Sequence, residues 1–173
     1  LLHELRITDV KYVACTDNDS YHPGRCAKVY AGETYLGVFG QIHPLVAANY
    51  GMDTEVYTAE LSFDAMYEKR GGIPVYQPLP KFPAVTRDIA VVCDEAVTVG
   101  ALEESIRRGA KGLLKDVSLF DIYRGPGVAI GKKSVAFNLV LRADDRSLTG
   151  EEADEDVQSI LAALKADHDA VLR

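Results

Sequence analysis

The sequence predicts an α+β chain in two parts: an antiparallel sheet, then a second sheet layered on two helices. Three observations carry this. Residues 85–173 read strand, helix, strand, strand, helix, strand, the order of the ferredoxin-like βαββαβ sandwich. Residues 70–84 hold two glycines and four prolines, which exclude a helix or central strand and mark an extended linker. Residues 1–69 alternate short β-prone runs with turn signals, the pattern of antiparallel strands too few to close a domain by themselves. The expected segments are therefore 1–69, 70–84 and 85–173.

Leu1-Leu2-His3-Glu4-Leu5 reads as the end of a helix cut from a longer protein. Residues 9–15 carry Val10, Tyr12, Val13 and Ala14, a strand. Residues 27–30 and 35–39 flank Ala31-Gly32-Glu33-Thr34, a hairpin. Pro44 opens a short helix that Gly51 follows. Residues 55–61 alternate as a sheet strand, and Ser62 starts a helical turn.

Past the linker, residues 85–93 are rich in Val and Ile. Thr98 caps a helix with Val99, Leu102 and Ile106 on one face and Gly109 near its end. Residues 117–123 and 134–142 are strands joined by a loop holding Gly125, Gly127 and Gly131. In the second of these strands Val135, Phe137, Leu139 and Leu141 form one face, assigned to the helices. Ala136, Asn138, Val140 and Arg142 form the other, left open. By the same alternation Phe120 and Tyr123 fall on opposite faces, with Phe120 in the core. Thr149-Gly150-Glu151-Glu152 is a capping box. The helix it opens buries Ala153, Val157, Ile160, Leu161 and Leu164, and a short strand closes the chain.

Bulk properties narrow the function classes. No window approaches a membrane span and no charged-then-apolar leader opens the chain. Cys15, Cys26 and Cys93 are an odd, widely spaced set, which fits buried thiols in a reducing cytosol rather than a disulfide framework. With His22, the first two lack the fourth ligand and paired spacing of a zinc site, so no metal is expected. The net charge of −7 is unevenly spread: residues 80–147 carry +2, while 148–173 carry −5. That segregation permits nucleic-acid contact on one face without demanding it.

The motifs with chemical promise each have a plainer explanation. Gly125 to Ser134 misses a phosphate-binding P-loop, because Pro126 and Lys133 occupy required positions and no helix follows. It reads instead as a basic hairpin loop able to touch a phosphodiester backbone. The acidic run Asp144, Asp145, Glu151, Glu152, Asp154 and Asp156 sits at a helix start, where carboxylates favour the macrodipole. No nucleophile constellation is visible, so no catalytic residue is expected. Arg87 is read either as an ion-pair partner of Asp121 across the sheet or as a guanidinium offered to RNA. The βαββαβ scaffold commonly binds single-stranded RNA.

Phe82-Pro83-Ala84-Val85-Thr86-Arg87-Asp88, Leu119-Phe120-Asp121-Ile122-Tyr123-Arg124-Gly125 and Lys133-Ser134-Val135-Ala136-Phe137 resemble the ferredoxin-fold anticodon-binding module of bacterial phenylalanyl-tRNA synthetase β subunits. Arg146-Ser147-Leu148-Thr149 fits as well, although the closing stretch lacks the glycine usual in the family. Tyr21 to Ala27, Gly37 to Pro44 and Val56 to Leu61 resemble the end of the same subunit's catalytic-like module, of class II synthetase fold, with Cys26 standing where serine is usual.

The resemblance implies a C-terminal fragment that is itself non-catalytic and binds the anticodon stem-loop of tRNA(Phe). It also implies a cytoplasmic α2β2 synthetase whose α subunit charges the tRNA using ATP and Mg²⁺, with no cofactor in this fragment and no membrane partner. The expected RNA surface is Arg87, Tyr123, Arg124, Lys132, Lys133, Asn138 and Arg142, with Arg124 rather than Tyr123 turned to the open face. A protein-interaction module or stand-alone RNA binder on the same scaffold is the alternative. An acylphosphatase-like enzyme is a third; it would want a phosphate cradle where Cys93-Asp94-Glu95-Ala96 is acidic.

Overall fold

The computed structural model describes residues 1–76 and 78–173, and the chain divides into two compact units, Leu1–Tyr76 and Gln77–Arg173. The linker expected over 70–84 includes Gln77, which lies outside the described residues.

The first unit is one four-stranded sheet. Its strands are β1 (Val10–Ala14), β2 (Tyr21–Ala31), β3 (Thr34–Ile42) and β4 (Tyr57–Leu61), paired in sequence order and all antiparallel. Gly32, at φ 58°, turns the β2–β3 hairpin. Helix α1 (Pro44–Asn49) starts on Pro44 with the His43 ring accepting the Leu45 N–H. Helix α2 (Phe63–Lys69) is capped by Ser62. Ile7, Val29, Ala31, Leu36 and Met66 form the core between sheet and α2. Residues 1–5 make hydrogen-bonded turns, including Leu5 N–H to Leu1 O at 3.0 Å, and not a helix.

The second unit is the sandwich that the pattern implies. Strands β5 (Val85–Asp94), β6 (Leu114–Tyr123), β7 (Lys132–Leu141) and β8 (Val171–Leu172) lie in the order β6-β7-β5-β8. Helices α3 (Val99–Gly109) and α4 (Gly150–His168) cover one face. Thr98 caps α3, and the complete Thr149–Glu152 capping box starts α4. Asp169, at φ 49°, ends α4 in the left-handed conformation.

β7 is the middle of this sheet. It pairs with β5 over ten residues and with β6 on its other edge. Val135, Phe137, Leu139 and Leu141 are sealed against Leu102, Ile106, Ile160 and Leu164. Burying each such side chain contributes about 1.5–3 kcal/mol, so alternation along this strand fixes which face the helices cover. The β6-β7-β5 order also separates Arg87 from Asp121 by a whole strand, so their expected cross-strand ion pair does not form. Arg87 lies on the helix side and donates through Nε to Asp154 at 2.9 Å.

α3 and α4 meet closely at Gly109. A Cβ there would lie 2.8 Å from Ala163 Cβ and 3.0 Å from Ile160 Cα. Gly109→Ala should therefore push the helices apart and destabilise the second unit by about 1–3 kcal/mol. Denaturant unfolding followed by amide exchange should show the loss in α3 and α4, with the first unit's sheet unchanged.

Candidate nucleic-acid interface

The face of the second sheet away from the helices is open, and β6 shapes it. The strand carries two irregularities: Lys115 and Asp116 together oppose Val140, and Phe120 and Asp121 together oppose Ala136. Each bulge adds one residue and reverses the side-chain parity. Val117 and Leu119 pair with core-facing Leu139 and Phe137, and Ile122 with Val135, so they share the helix side. Ser118, Phe120, Asp121 and Tyr123 are left together on the open face. Phe120 is 58% exposed, not in the core as expected, and it shares its face with Tyr123, whose side the second bulge reverses. A bulge leaves no mark on composition, so Phe120 and Tyr123 were placed on opposite faces and Phe120 was missed.

Tyr123 lies back over Gly125, where a Cβ would come within 2.7 Å of the phenol oxygen. Its hydroxyl donates to Pro126 O at 3.2 Å. The Arg173 guanidinium sits 4.8 Å from the ring centroid. Arg173 follows β8 on the far side of the sheet and donates its N–H to Ala90 O at 2.8 Å. The two side chains thus reach toward each other across the small residues Ala90, Ala136 and Ser134. Arg173 was outside the expected set, since nothing in a terminal residue reveals which strand it joins.

The other expected residues divide between the two sides. Asn138 is on the open face and donates through Nδ2 to Asp88 Oδ1 at 2.7 Å. Arg142 shares that face, and its buried Nε has no partner among the described residues. Lys132 is also there, 3.6 Å from Asp94. Arg87 and Lys133 are on the helix side. Lys133 is 6% exposed and donates through Nζ to Glu95 O at 2.9 Å. Arg124 lies past the end of β6, where both Nε and Nη2 bond the Glu95 carboxylate at 2.6–3.0 Å. It is Tyr123, not Arg124, that faces the open side. The hairpin loop is therefore less basic to an incoming phosphate than its sequence, because each flanking cation already has an acceptor.

Elsewhere, Ser105 donates to Asp167 Oδ2 at 2.6 Å and lies 2.9 Å from His168 Nε2. This is not a nucleophilic triad. The carboxylate meets the hydroxyl rather than the imidazole, and Ser105 is 3% exposed. The cluster ties α3 to α4. Cys15, Cys26 and Cys93 are free thiols; burial, with Cys15 beside it, pushes Cys26 up to about 11. No group of three or more metal-ligating side chains occurs among the described residues.

An open four-stranded face presenting Phe120, Tyr123 and Arg173, backed by two helices, defines a ferredoxin-fold module of the kind that holds unpaired nucleotides. Residues 80–173 match the family model of the ferredoxin-fold anticodon binding domain, and residues 1–63 that of the phenylalanyl tRNA synthetase beta chain CLM domain. The chain belongs to the ferredoxin-fold anticodon-binding domain family, in the form found in phenylalanine–tRNA ligase β subunits. It is 39% identical over its whole length to the β subunit of Clostridium tetani, covering 22% of that protein. Identity to the Symbiobacterium thermophilum subunit is 43% over 96% of the chain and 18% of the relative. To that of Bacillus subtilis it is 38% over the whole chain and 21% of the relative. The chain spans about a fifth of the length of these relatives.

Three substitutions test the electrostatics. The Arg124 hydrogen bonds hold the Glu95 carboxyl below the usual glutamate range. The stabilisation this gives is complete above the unfolded value and is lost as pH falls through the folded one. Arg124→Met should return Glu95 to the ordinary range in a carboxyl NMR titration. Lys133→Met should lower stability by about 1–2 kcal/mol, since it strands the Glu95 carbonyl. Lys132→Ala, which removes an exposed pair, should change it by less than about 0.5 kcal/mol.

Proposed function

We propose that this chain holds the anticodon stem-loop of tRNA(Phe) on the open face of its second sheet, as part of a phenylalanine–tRNA ligase β subunit. The observation that carries the proposal is the exposed Phe120 and the half-buried Tyr123 on one face, with the Arg173 guanidinium against the Tyr123 ring. Aromatic platforms beside a guanidinium suit stacked, unpaired bases. The family match supports the anticodon loop as the source of those bases.

In this reading residues 1–69 are the end of the catalytic-like module, 70–84 the linker and 85–173 the anticodon-binding domain. Tyr123, Asn138, Arg142 and Lys132 keep direct roles on the RNA face. Arg87, Arg124 and Lys133 hold the scaffold that presents them. Charging of the tRNA with phenylalanine belongs to the α subunit, with ATP and Mg²⁺, within a cytoplasmic α2β2 enzyme. This chain carries no reacting group. Its contribution is orientation: fixing the anticodon end determines where the acceptor end arrives. Among the described residues no helix is long and apolar enough to cross a membrane.

The test is binding of tRNA(Phe) and of a noncognate tRNA to the purified chain across a salt series. Cognate tRNA should bind more tightly, and Tyr123→Ala should weaken it about tenfold. Because the loop cations are internally paired, affinity should fall less steeply with salt than in a phosphate-dominated complex. The chain free of host synthetase should support no phenylalanine-dependent pyrophosphate exchange. Equal affinity for both tRNAs, unchanged by Tyr123→Ala, overturns the proposal.

A further inference from the structure

Next to the Tyr123–Arg173 region, one row across the open face has its own chemistry. Asp88, Asn138 and Ser118 are direct cross-strand neighbours on β5, β7 and β6. Phe120 stands two residues beyond Ser118, on the same side by ordinary strand alternation, and is 58% exposed. We propose that Phe120 and the Asp88–Asn138 pair form a subsite for an unpaired adenine. The inference rests on the reading of this face as an RNA surface.

Orientation of the amide is the key point. A carboxylate only accepts, so the Asn138 group 2.7 Å from Asp88 Oδ1 is the nitrogen. One Nδ2 hydrogen is thereby used. The second Nδ2 hydrogen and Oδ1 remain as an adjacent donor and acceptor, in a fixed order, with the Asp88 charge on the donor side. Adenine completes this array by either edge. Its N6 amino group donates to Oδ1, its N7 or N1 accepts from Nδ2, and a C–H then faces the carboxylate.

Guanine aligned on the same pair places O6 on the amide nitrogen and N7 toward the negative charge. Cytosine turns its O2 there. Uracil fits the polar pair but offers a smaller ring. Phe120 supplies the face on which a purine gains more from stacking than a pyrimidine. Adenine is the base that meets both demands.

The experiment uses the complete chain and uridine-flanked RNA pentanucleotides differing only in the central base: adenine, guanine, cytosine, uracil or purine without its amino group. Adenine should bind about fivefold or more tighter than guanine, and loss of the amino group should cost a similar factor. The adenine pentanucleotide should shift the Asn138 side-chain amide resonances more than the guanine or cytosine one. Phe120→Leu should weaken all purines about tenfold. Asp88→Asn should release the amide orientation and bring adenine and guanine within about twofold while leaving overall affinity.

Adenine and guanine bound within about twofold by the unsubstituted chain overturn the subsite. So does discrimination that persists in Asp88→Asn. Binding of tRNA(Phe), measured alongside, separates the two claims. Cognate binding without adenine preference sinks the subsite alone, and failure to bind any RNA sinks the RNA face as well.

Discussion

The second unit depends on one strand's having two different faces. β7 touches a strand on each edge, so its backbone is paired on both sides from Ser134 to Leu141 and cannot shift without losing both ladders. Its odd-numbered side chains from Val135 to Leu141 are closed off by α3 and α4. A one-residue slip would move that whole set to the open side. Register is therefore held by the core. The even-numbered residues Ser134, Ala136, Asn138 and Arg142 inherit fixed positions on the other face without contributing to the choice. A surface built this way is preorganised by packing that it takes no part in.

β6 departs from that regularity, and the departure is local. Its two bulges lie on the edge strand, where an added residue disturbs only one ladder. The effect is to put four side chains of β6 between 118 and 123 on the open face, where strict alternation would give three. Bulges on an edge also twist it away from pairing with another chain. The same two insertions thus shape the open face and turn the edge away from pairing. Small residues in the neighbouring strands, Ala90 and Ala136, leave room above the sheet, and Tyr123 and Arg173 extend over it.

Much of this was legible in the sequence. The βαββαβ order, the Thr98 cap, the Thr149–Glu152 box and the inward face of β7 follow from periodicity and capping chemistry, which are local and obligatory. The hairpin at Gly32 and the helix start at Pro44 are equally local. What could not be read depends on contacts between distant residues. Strand order decides that Arg87 meets Asp154 and never Asp121. The second bulge decides the side of Tyr123. Lys133 looked like half of a basic loop, yet it stands opposite buried Cys93 and turns inward to the Glu95 carbonyl. Charge in a sequence says how many cations exist and nothing about which are already engaged.

That last point bears on how an acidic chain meets a polyanion. With Arg124 bonded to Glu95, Lys132 near Asp94 and Lys115 to Asp144, several cations on the strands and strand ends of this sheet are neutralised where they stand. Exposed pairs of this kind contribute little to stability, but they flatten the field that an approaching phosphate feels. Arg173 and Arg142 are the exceptions, one against an aromatic ring and the other with its Nε unpartnered. For the proposed RNA contact, long-range attraction would be weak under such conditions, and affinity would come from short-range stacking and directed hydrogen bonds. Those terms depend on base identity, whereas counterion release does not. In the proposed role, muting its own positive charge would leave this face poor at gripping any RNA and better suited to distinguishing one loop from another.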